Sequence, residues 1–376
     1  MPNQNPGISQ IKYIVAVGSG KGGVGKSSVS INLAHALEKL GHKVGLMDAD
    51  IYGPSQPGMM GADPKSGIKV DGPNLFPQEK NGIKFISMGL LVPKGGPVVW
   101  RAPMAIKMIQ QFLSNVVWGE LDILLIDLPP GTGDVQLTLA QQASLSGTII
   151  VTTPQEVSLN IAKKGLSMFM ELNIPILGIV ENMSGFTCSH CGEVTNVFKT
   201  GGGEKLANEL KVPFLGSIPL DPEVMISGDE GIPLVVKSQD SKAVVPFLKL
   251  AKNLFEGIEK LAREGKLIEP ESIDVKSSGK LLIKWNDGHH GEHTPYTLRL
   301  SCKCATCVDE NTNKKKIKID SVPLDITISR INKTGRYGLN IHFSDGHGTG
   351  IYKHTFLREI CECPECSSKK GRSFNV

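Results

Sequence analysis

Apolar residues in the first two thirds of the chain alternate between short unbroken runs and stretches of helical spacing. Tyr13 to Val17, Lys43 to Met47, Ile83 to Met88, Ile123 to Ile126, Gly147 to Thr152 and Ile176 to Glu181 are apolar and rich in β-formers, so they read as strands. Ser28 to Leu40, Ala102 to Phe112, Glu156 to Leu172 and Ala243 to Ala262 carry apolar residues at helical spacing, and Gly41 stands where the first of these helices stops. Strands that are apolar throughout, alternating with helices, predict a mostly parallel sheet covered by helices on both faces, an α/β fold. Ile51 to Lys80, rich in Gly, Pro, Met and polar residues, reads as a mobile segment rather than core.

Beyond Ala262 the pattern changes. Residues 264–280 are polar with Gly, Pro and Ser and read as a linker, and 281–366 hold short β-like runs that repeat. The expected division is a short tail (1–11), an α/β domain (12–263), the linker, a small β-rich domain (281–366) and a polar tail (367–376). A length of 376 residues accommodates this in two to three domains. Lys and Arg number 41 against 37 Asp and Glu, so charge does not suggest non-specific binding to nucleic acid. No apolar run approaches the ~18 residues of a membrane span. The polar N-terminus lacks the character of a signal or transit peptide, which places the expected protein, without membrane attachment, in the cytoplasm.

The most informative stretch lies between the first strand and first helix. Gly20-Lys21-Gly22-Gly23-Val24-Gly25-Lys26-Ser27 fits G-x-x-x-x-G-K-S/T in the strand-to-helix setting that the chemistry needs. Backbone N–H groups of such a loop, continuing to Ser28, close around phosphate oxygens where the helix dipole favours negative charge. Lys26 would reach the outer phosphates and Ser27 would ligate Mg2+. Strand ends supply the acids: Asp48 and Asp50 follow the second strand, and Asp127 closes Ile123-Leu124-Leu125-Ile126 in the form that holds Mg2+. Leu128-Pro129-Pro130-Gly131-Thr132-Gly133-Asp134 next to it suits a switch that senses the terminal phosphate. No N-K-x-D base-reading motif is present, since Asn332-Lys333-Thr334-Gly335 lacks the acid, and ATP is therefore favoured over GTP.

Lys21 gives the loop a second lysine, and here the chain resembles the deviant Walker A ATPases, the MinD, ParA and nitrogenase iron protein group. The resemblance implies a homodimer in which Lys21 reaches the partner's phosphates; read alone, it is a solvated loop charge. It also implies that Asp50, 24 positions after Lys26, orients the attacking water, with Asp48 supporting the metal, and that Asn182 contacts adenine. Lys21, Lys26 and Asp50 are then the residues of hydrolysis.

All eight cysteines fall into spaced groups, which in a reducing compartment points to metal or redox chemistry rather than disulfides. Cys188-Ser189-His190-Cys191, on a Gly-rich turn after the strand that ends at Glu181, offers two thiolates to one metal centre. Two do not fill a four-ligand site; a two-fold dimer would supply the other two, whereas a structural zinc would need His190 or a distant residue. Glu181-Asn182-Met183-Ser184 followed by this pair, downstream of the K-G-G-V-G-K-S and D-L-P-P-G-T-G-D motifs, resembles the Mrp/ApbC family. That resemblance implies a labile iron-sulfur cluster, of 4Fe-4S type, held between subunits and passed from a scaffold to apo-protein clients, with slow ATP hydrolysis. The rivals are a MinD- or ParA-like positioning ATPase and an ATP-driven iron-sulfur electron donor.

In the C-terminal region Trp285-Asn286-Asp287-Gly288-His289, Leu298-Arg299 and Cys302-x-Cys304-x-x-Cys307 are echoed by Phe343-Ser344-Asp345-Gly346-His347, Leu357-Arg358 and Cys361-x-Cys363-x-x-Cys366. The offset is 58 residues at the histidines and 59 at the cysteines. Three thiols and a histidine make a Cys3His set for Zn2+. The segment resembles the N-terminal domain of γ-butyrobetaine hydroxylases, which implies that Cys302, Cys304 and Cys307 are joined by His347. The repeat then suggests a crossed second set of Cys361, Cys363, Cys366 and His289, unless the second triplet is a flexible cluster-handling tail.

Overall fold

Strand β1 (Ile11–Ser19) is buried at all but one position, as a central parallel strand must be when helices cover both faces. The computed structural model describes residues 8, 10–51, 53–62, 67–91, 102–131, 133–143, 145–188, 190–191, 193–197, 199–238, 240–264, 267–304, 306–308, 315–317, 319–334 and 338–370. Of the positions singled out in the sequence, Thr132, Ser189, Gly335 and the ends of both tails (1–7 and 371–376) lie outside them, as do Arg101, just before the second predicted helix, and Gly192, just after the first cysteine pair. The described chain divides into two units, residues 1–258 and 259–376.

In the first unit β1 leads through the phosphate loop into α1 (Lys26–Lys39), then β2 (Val44–Asp48), α2 (Gln56–Met59), and the strands β3 (Lys69–Asp71), β4 (Asn74–Phe76), β5 (Gln78–Lys80) and β6 (Ile83–Ser87). Next come α3 (Ala102–Asn115), β7 (Leu121–Asp127), α4 (Asp134–Gln142), β8 (Gly147–Thr152), α5 (Glu156–Glu171), β9 (Ile176–Thr187) and β10 (Val194–Thr195). The unit closes with α6 (Gly202–Leu210), β11 (Phe214–Leu220), α7 (Pro222–Asp229), α8 (Leu234–Lys237) and α9 (Val245–Arg263), whose last turns lie past the division.

Nine strands form one sheet in the order β10-β9-β8-β1-β7-β2-β6-β5, with β11 also on β9. Only the short β10 and β5 run antiparallel. Alternate residues of β1 face opposite layers. Ile14 and Ala16 join Ile109 and Phe112 of α3, Leu139 of α4, and Leu166 and Phe169 of α5 in one core. On the other side Tyr13 meets Phe255 of α9 edge to face, with ring centroids 6.0 Å apart. Gly41 adopts φ 91° just past α1 and donates its amide to the carbonyl of Glu38, ending the helix as its position in the sequence suggests.

Two expectations change. Within Ile51 to Lys80, Gln56, Pro57, Met60 and Ala62 are buried and β3 pairs with β4, so part of this stretch is packed structure. Its composition hid this because a single helical turn containing Pro57 has no periodicity to read. The stretch read as linker carries β12 (Pro270–Val275), paired with β13 (Leu281–Trp285). That strand is half exposed, so it lacks the apolar run that marks buried ones.

The second unit is two antiparallel three-stranded sheets. β12, β13 and β14 (His290–His293) are followed by α10 (Pro295–Leu300); β15 (Ile328–Thr334), β16 (Gly338–Phe343) and β17 (Ile351–Lys353) by α11 (His354–Glu359) and α12 (Pro364–Lys370). Leu281, Ile283, Trp285 and Leu298 of the first half pack with Leu339, Ile341, Phe343 and Leu357 of the second in one core. Among the described residues no helix is long and apolar enough to cross a membrane.

Candidate functional site

The site is built where β7 and β2 end level beside β1. Val17 of β1 is opposite Asp127 of β7, and Asp127 is opposite Asp48 of β2, so strand register alone brings two acids to the base of the phosphate loop. Gly23 and Gly25 take φ 76° and 79°, the left-handed conformation that turns the strand back into α1. A Cβ added at Gly22 or Gly23 would meet no atom within 4 Å, which leaves the outer face of the loop open. At Gly25 it would come within 2.2 Å of the Asn182 amide. We expect Gly25→Ala to incur about 1–2 kcal/mol of backbone strain plus that clash. ATP affinity should then fall by tenfold or more, about 1.4 kcal/mol, in isothermal titration calorimetry; unchanged affinity would contradict this account of the loop.

Asp127 is fully buried and is the hub. It accepts hydrogen bonds from Ser27 Oγ at 2.7 Å, Ser30 Oγ at 2.7 Å and Gln56 Nε2 at 2.8 Å. Lys26 Nζ lies 2.8 Å from Asp127 Oδ1 and 4.0 Å from Asp50 Oδ2, yet it is buried without a well-aligned hydrogen-bond acceptor. A buried ammonium with unused N–H bonds, at the base of an open glycine loop, fits an anionic ligand such as a phosphate. Asp48 accepts from Ser87 Oγ at 2.7 Å and from the amide of Asp50 at 3.1 Å. Burial, and after it the charge of Asp127, push its carboxyl up to about 7, against the opposing pull of those donors and Lys26. Two adjoining buried acids and a serine hydroxyl are the oxygen donors a divalent cation takes, and the cation would relieve their repulsion. Asp50 accepts from the amide of Gly53 at 3.2 Å, which fixes the turn after β2.

The neighbouring switch segment is tied to β1. The amide of Leu128 donates to the carbonyl of Val17, and that of Gly131 to the carbonyl of Ser19. Lys21 is half-buried and forms no ion pair with any described residue. Ser28 sits in the first turn of α1, where its carbonyl accepts from Asn32. Asn182 donates to the carbonyl of Val24 at 2.8 Å, so its side chain braces the phosphate loop. Gln56, Ser30 and Ser87 were not singled out in the sequence. Ser30 was within reach, one turn along α1 from Ser27, whereas Gln56 and Ser87 had no local signal.

Asn182 lies on β9, and Cys188 directly follows the end of that strand at Thr187. Between them Met183 and Gly185 take φ 56° and 79°, and the pairing of β9 with β11 slips. β9 then turns back through Cys188, His190 and Cys191 into β10, with Thr187 opposite Val194 and the amide of Cys188 bonded to the carbonyl of Glu193. Cys188 is half-buried and Cys191 exposed. The backbone amides of Cys191 and then His190, helped by the Cys191 side chain, hold the Cys188 thiol below its ordinary value, toward the thiolate that binds metal. Among the described residues, sets of three or more His, Cys, Asp or Glu close enough for one metal occur only in the second unit, so this hairpin offers its two thiols without a third ligand.

There the structure brings together Cys302, Cys304, Cys307 and His347, and separately Cys361, Cys363, Cys366 and His289. His347 Nε2 is 3.2, 3.7 and 3.8 Å from the three sulfurs of its set. Tetrahedral zinc, with Zn–S about 2.3 Å and Zn–N about 2.0–2.1 Å, separates S and N ligands by about 3.6 Å. Arg299 also donates to Cys307 Sγ at 3.3 Å, which suits a thiolate.

Residues 10–255, more than half of the chain, match the family model described as NUBPL iron-transfer P-loop NTPase. The chain belongs to this family. Residues 274–358 match a second model, γ-butyrobetaine hydroxylase-like, N-terminal. The iron-sulfur cluster carrier protein of Methanocaldococcus jannaschii is 52% identical over 256 residues, 67% of this chain and 87% of that one. The protein of the same name from Aquifex aeolicus is 48% identical over 253 residues, 67% of this chain and 70% of its own. Among solved structures, a nucleotide-binding protein from Archaeoglobus fulgidus in complex with ADP is 41% identical, with a TM-score of 0.54. That match covers 61% of this chain and 90% of the other. As an iron-transfer P-loop NTPase the chain carries the family's nucleotide loop and a cysteine pair on one sheet, and the second unit is an addition beyond the matched NTPase.

Proposed function

We propose that this protein is an ATP-hydrolysing carrier of iron-sulfur clusters that acts as a homodimer in the cytoplasm. The observation that carries the reading is the incomplete ligand set at Cys188 and Cys191, two accessible thiols at the rim of a phosphate-loop sheet. A 4Fe-4S cargo takes four thiolates, and a two-fold axis beside the hairpin supplies the same pair twice. Membership of an iron-transfer family and about half identity with cluster carriers support it, and eight free cysteines suit a reducing compartment.

In this reading Gly20 to Ser28 cradle the phosphates of ATP. Ser27 and Asp127 hold Mg2+, with Asp48 supporting the metal, and the ion neutralises charge on the phosphates. Lys26 stabilises the charge of the transferred phosphoryl group, and Asp50 orients water for in-line attack. Lys21, without an ion pair to any described residue, reaches the partner's nucleotide. β9 is the mechanical link: Asn182 touches the loop, Cys188 holds cargo, and the irregular turn at Met183–Gly185 lies between. Cys302, Cys304, Cys307 and His347 hold a structural Zn2+.

The test is anaerobic reconstitution with iron and sulfide, then mixing with the apo form of a 4Fe-4S protein and separating the two. We expect the cluster to appear on the acceptor, at a rate changed by ATP and Mg2+. A cluster that forms and never leaves would instead identify an electron donor, and none at all would identify a positioning ATPase.

A further inference from the structure

The second unit is one module used twice. Trp285 and Phe343 each donate their amide to the carbonyl of the histidine four residues on, at 2.9 and 2.8 Å. Between them Gly288 and Gly346 share φ 82°, and the amides of His289 and His347 bond to Asp287 and Asp345 at 3.1 and 2.9 Å. Each half then runs into a short helix, α10 or α11, and from it into a C-x-C-x-x-C triplet.

The side chains cross between halves. Arg299 of the first half donates to Asp345 of the second at 2.6 Å, and Arg358 of the second donates to Asp287 of the first at 2.8 Å. The histidines follow the same rule. His347 faces the first triplet, while His289 Nε2 lies 3.4, 3.6 and 3.6 Å from the sulfurs of Cys361, Cys363 and Cys366. The match to the γ-butyrobetaine hydroxylase-like model ends at residue 358, so it stops short of this second triplet.

We propose that Cys361, Cys363, Cys366 and His289 form a second tetrahedral Zn2+ site, so that the unit holds two metal ions, each bound by three thiolates of one half and the histidine of the other. The three S···N separations all lie close to the about 3.6 Å that tetrahedral zinc imposes. Packing alone does not account for them: a buried cysteine used as a small hydrophobe points at apolar neighbours, whereas these three converge on one imidazole nitrogen. The surroundings fit a ligand set. The amide of Cys366 points at Cys363 Sγ at 3.4 Å, a donor to thiolate, and Glu365 lies 3.8 Å from His289 Nδ1, where a carboxylate orients a metal-bound imidazole. Three thiolates and one imidazole favour Zn2+, and they fall one thiolate short of the four that an iron-sulfur cluster takes.

The crossing makes the site testable apart from cluster transfer. In the full chain with Cys188→Ser and Cys191→Ser, which silence the hairpin thiols, elemental analysis after Zn2+ loading and desalting should give about two ions per chain. Cys361→Ser and His289→Ala should each bring this to about one. In His289→Ala, alkylation mapped by mass spectrometry should rise at Cys361, Cys363 and Cys366 and stay low at Cys302, Cys304 and Cys307. One ion per chain in the parent, or alkylation of His289→Ala confined to the first triplet, would overturn the proposal.

Discussion

Serine at positions 188 and 191 is expected to leave the protein with no more iron and sulfide than a mock-loaded control after anaerobic reconstitution, while it still binds ATP. The two halves of this result have separate physical causes. The Cys188 thiol is held toward its ionised form by backbone amides, and a serine hydroxyl in the same place neither ionises near neutral pH nor offers a soft donor to iron. The hairpin itself rests on backbone bonds: Thr187 and Phe186 pair with Val194 and Thr195, and Cys188 N bonds to the carbonyl of Glu193. None of these needs sulfur, so the sheet and phosphate loop should persist. Iron content is measured alongside calorimetric ATP binding. Parent-level iron in the double variant would remove the pair from the account, whatever the protein does with ATP.

Lys26→Ala should abolish most hydrolysis and weaken the fold at the same time. Removing a positioned charge from a water-excluded site typically lowers kcat by ~10^2–10^3-fold, and Lys26 is the buried cation at the base of the loop. It is also the counter-charge 2.8 Å from Asp127, beside an Asp48 carboxyl already pushed up to about 7. Removing one partner of a buried pair costs about 3–5 kcal/mol because the other is left uncompensated. Phosphate release and a melting curve without Mg2+ check both effects. Mg2+ should recover part of the lost stability, since a divalent ion replaces the missing positive charge between the same acids. Turnover within tenfold of the parent would show that Lys26 does not stabilise the reacting phosphates.

Family resemblance linked Asn182 to the base of the nucleotide, whereas the structure places its amide on the carbonyl of Val24, against the loop that holds phosphate. The two placements make different demands on the same residue. Against the loop, Asn182 braces the turn at Val24, and Cys188 stands six residues further on, just past the end of β9.

Some of this protein is written locally. The phosphate loop is legible because left-handed glycines, a lysine and a serine at fixed spacing make its turn from neighbouring residues. The central strands are legible because burial on both faces demands unbroken apolar runs, and the cysteine groups because thiols two or three positions apart can face one metal from a single turn. Other features had no local signature. Gln56 reaches Asp127 from a single turn in a Gly- and Pro-rich stretch, and β12 is a half-exposed strand in a stretch read as linker. Strand order set Asp48 beside Asp127, and the packing of two like halves set each histidine against the other half's thiols. Sequence spacing governs atoms joined by a few bonds; contacts between residues many tens of positions apart depend on which strands become neighbours and in which register, and that is settled only when the whole core is packed.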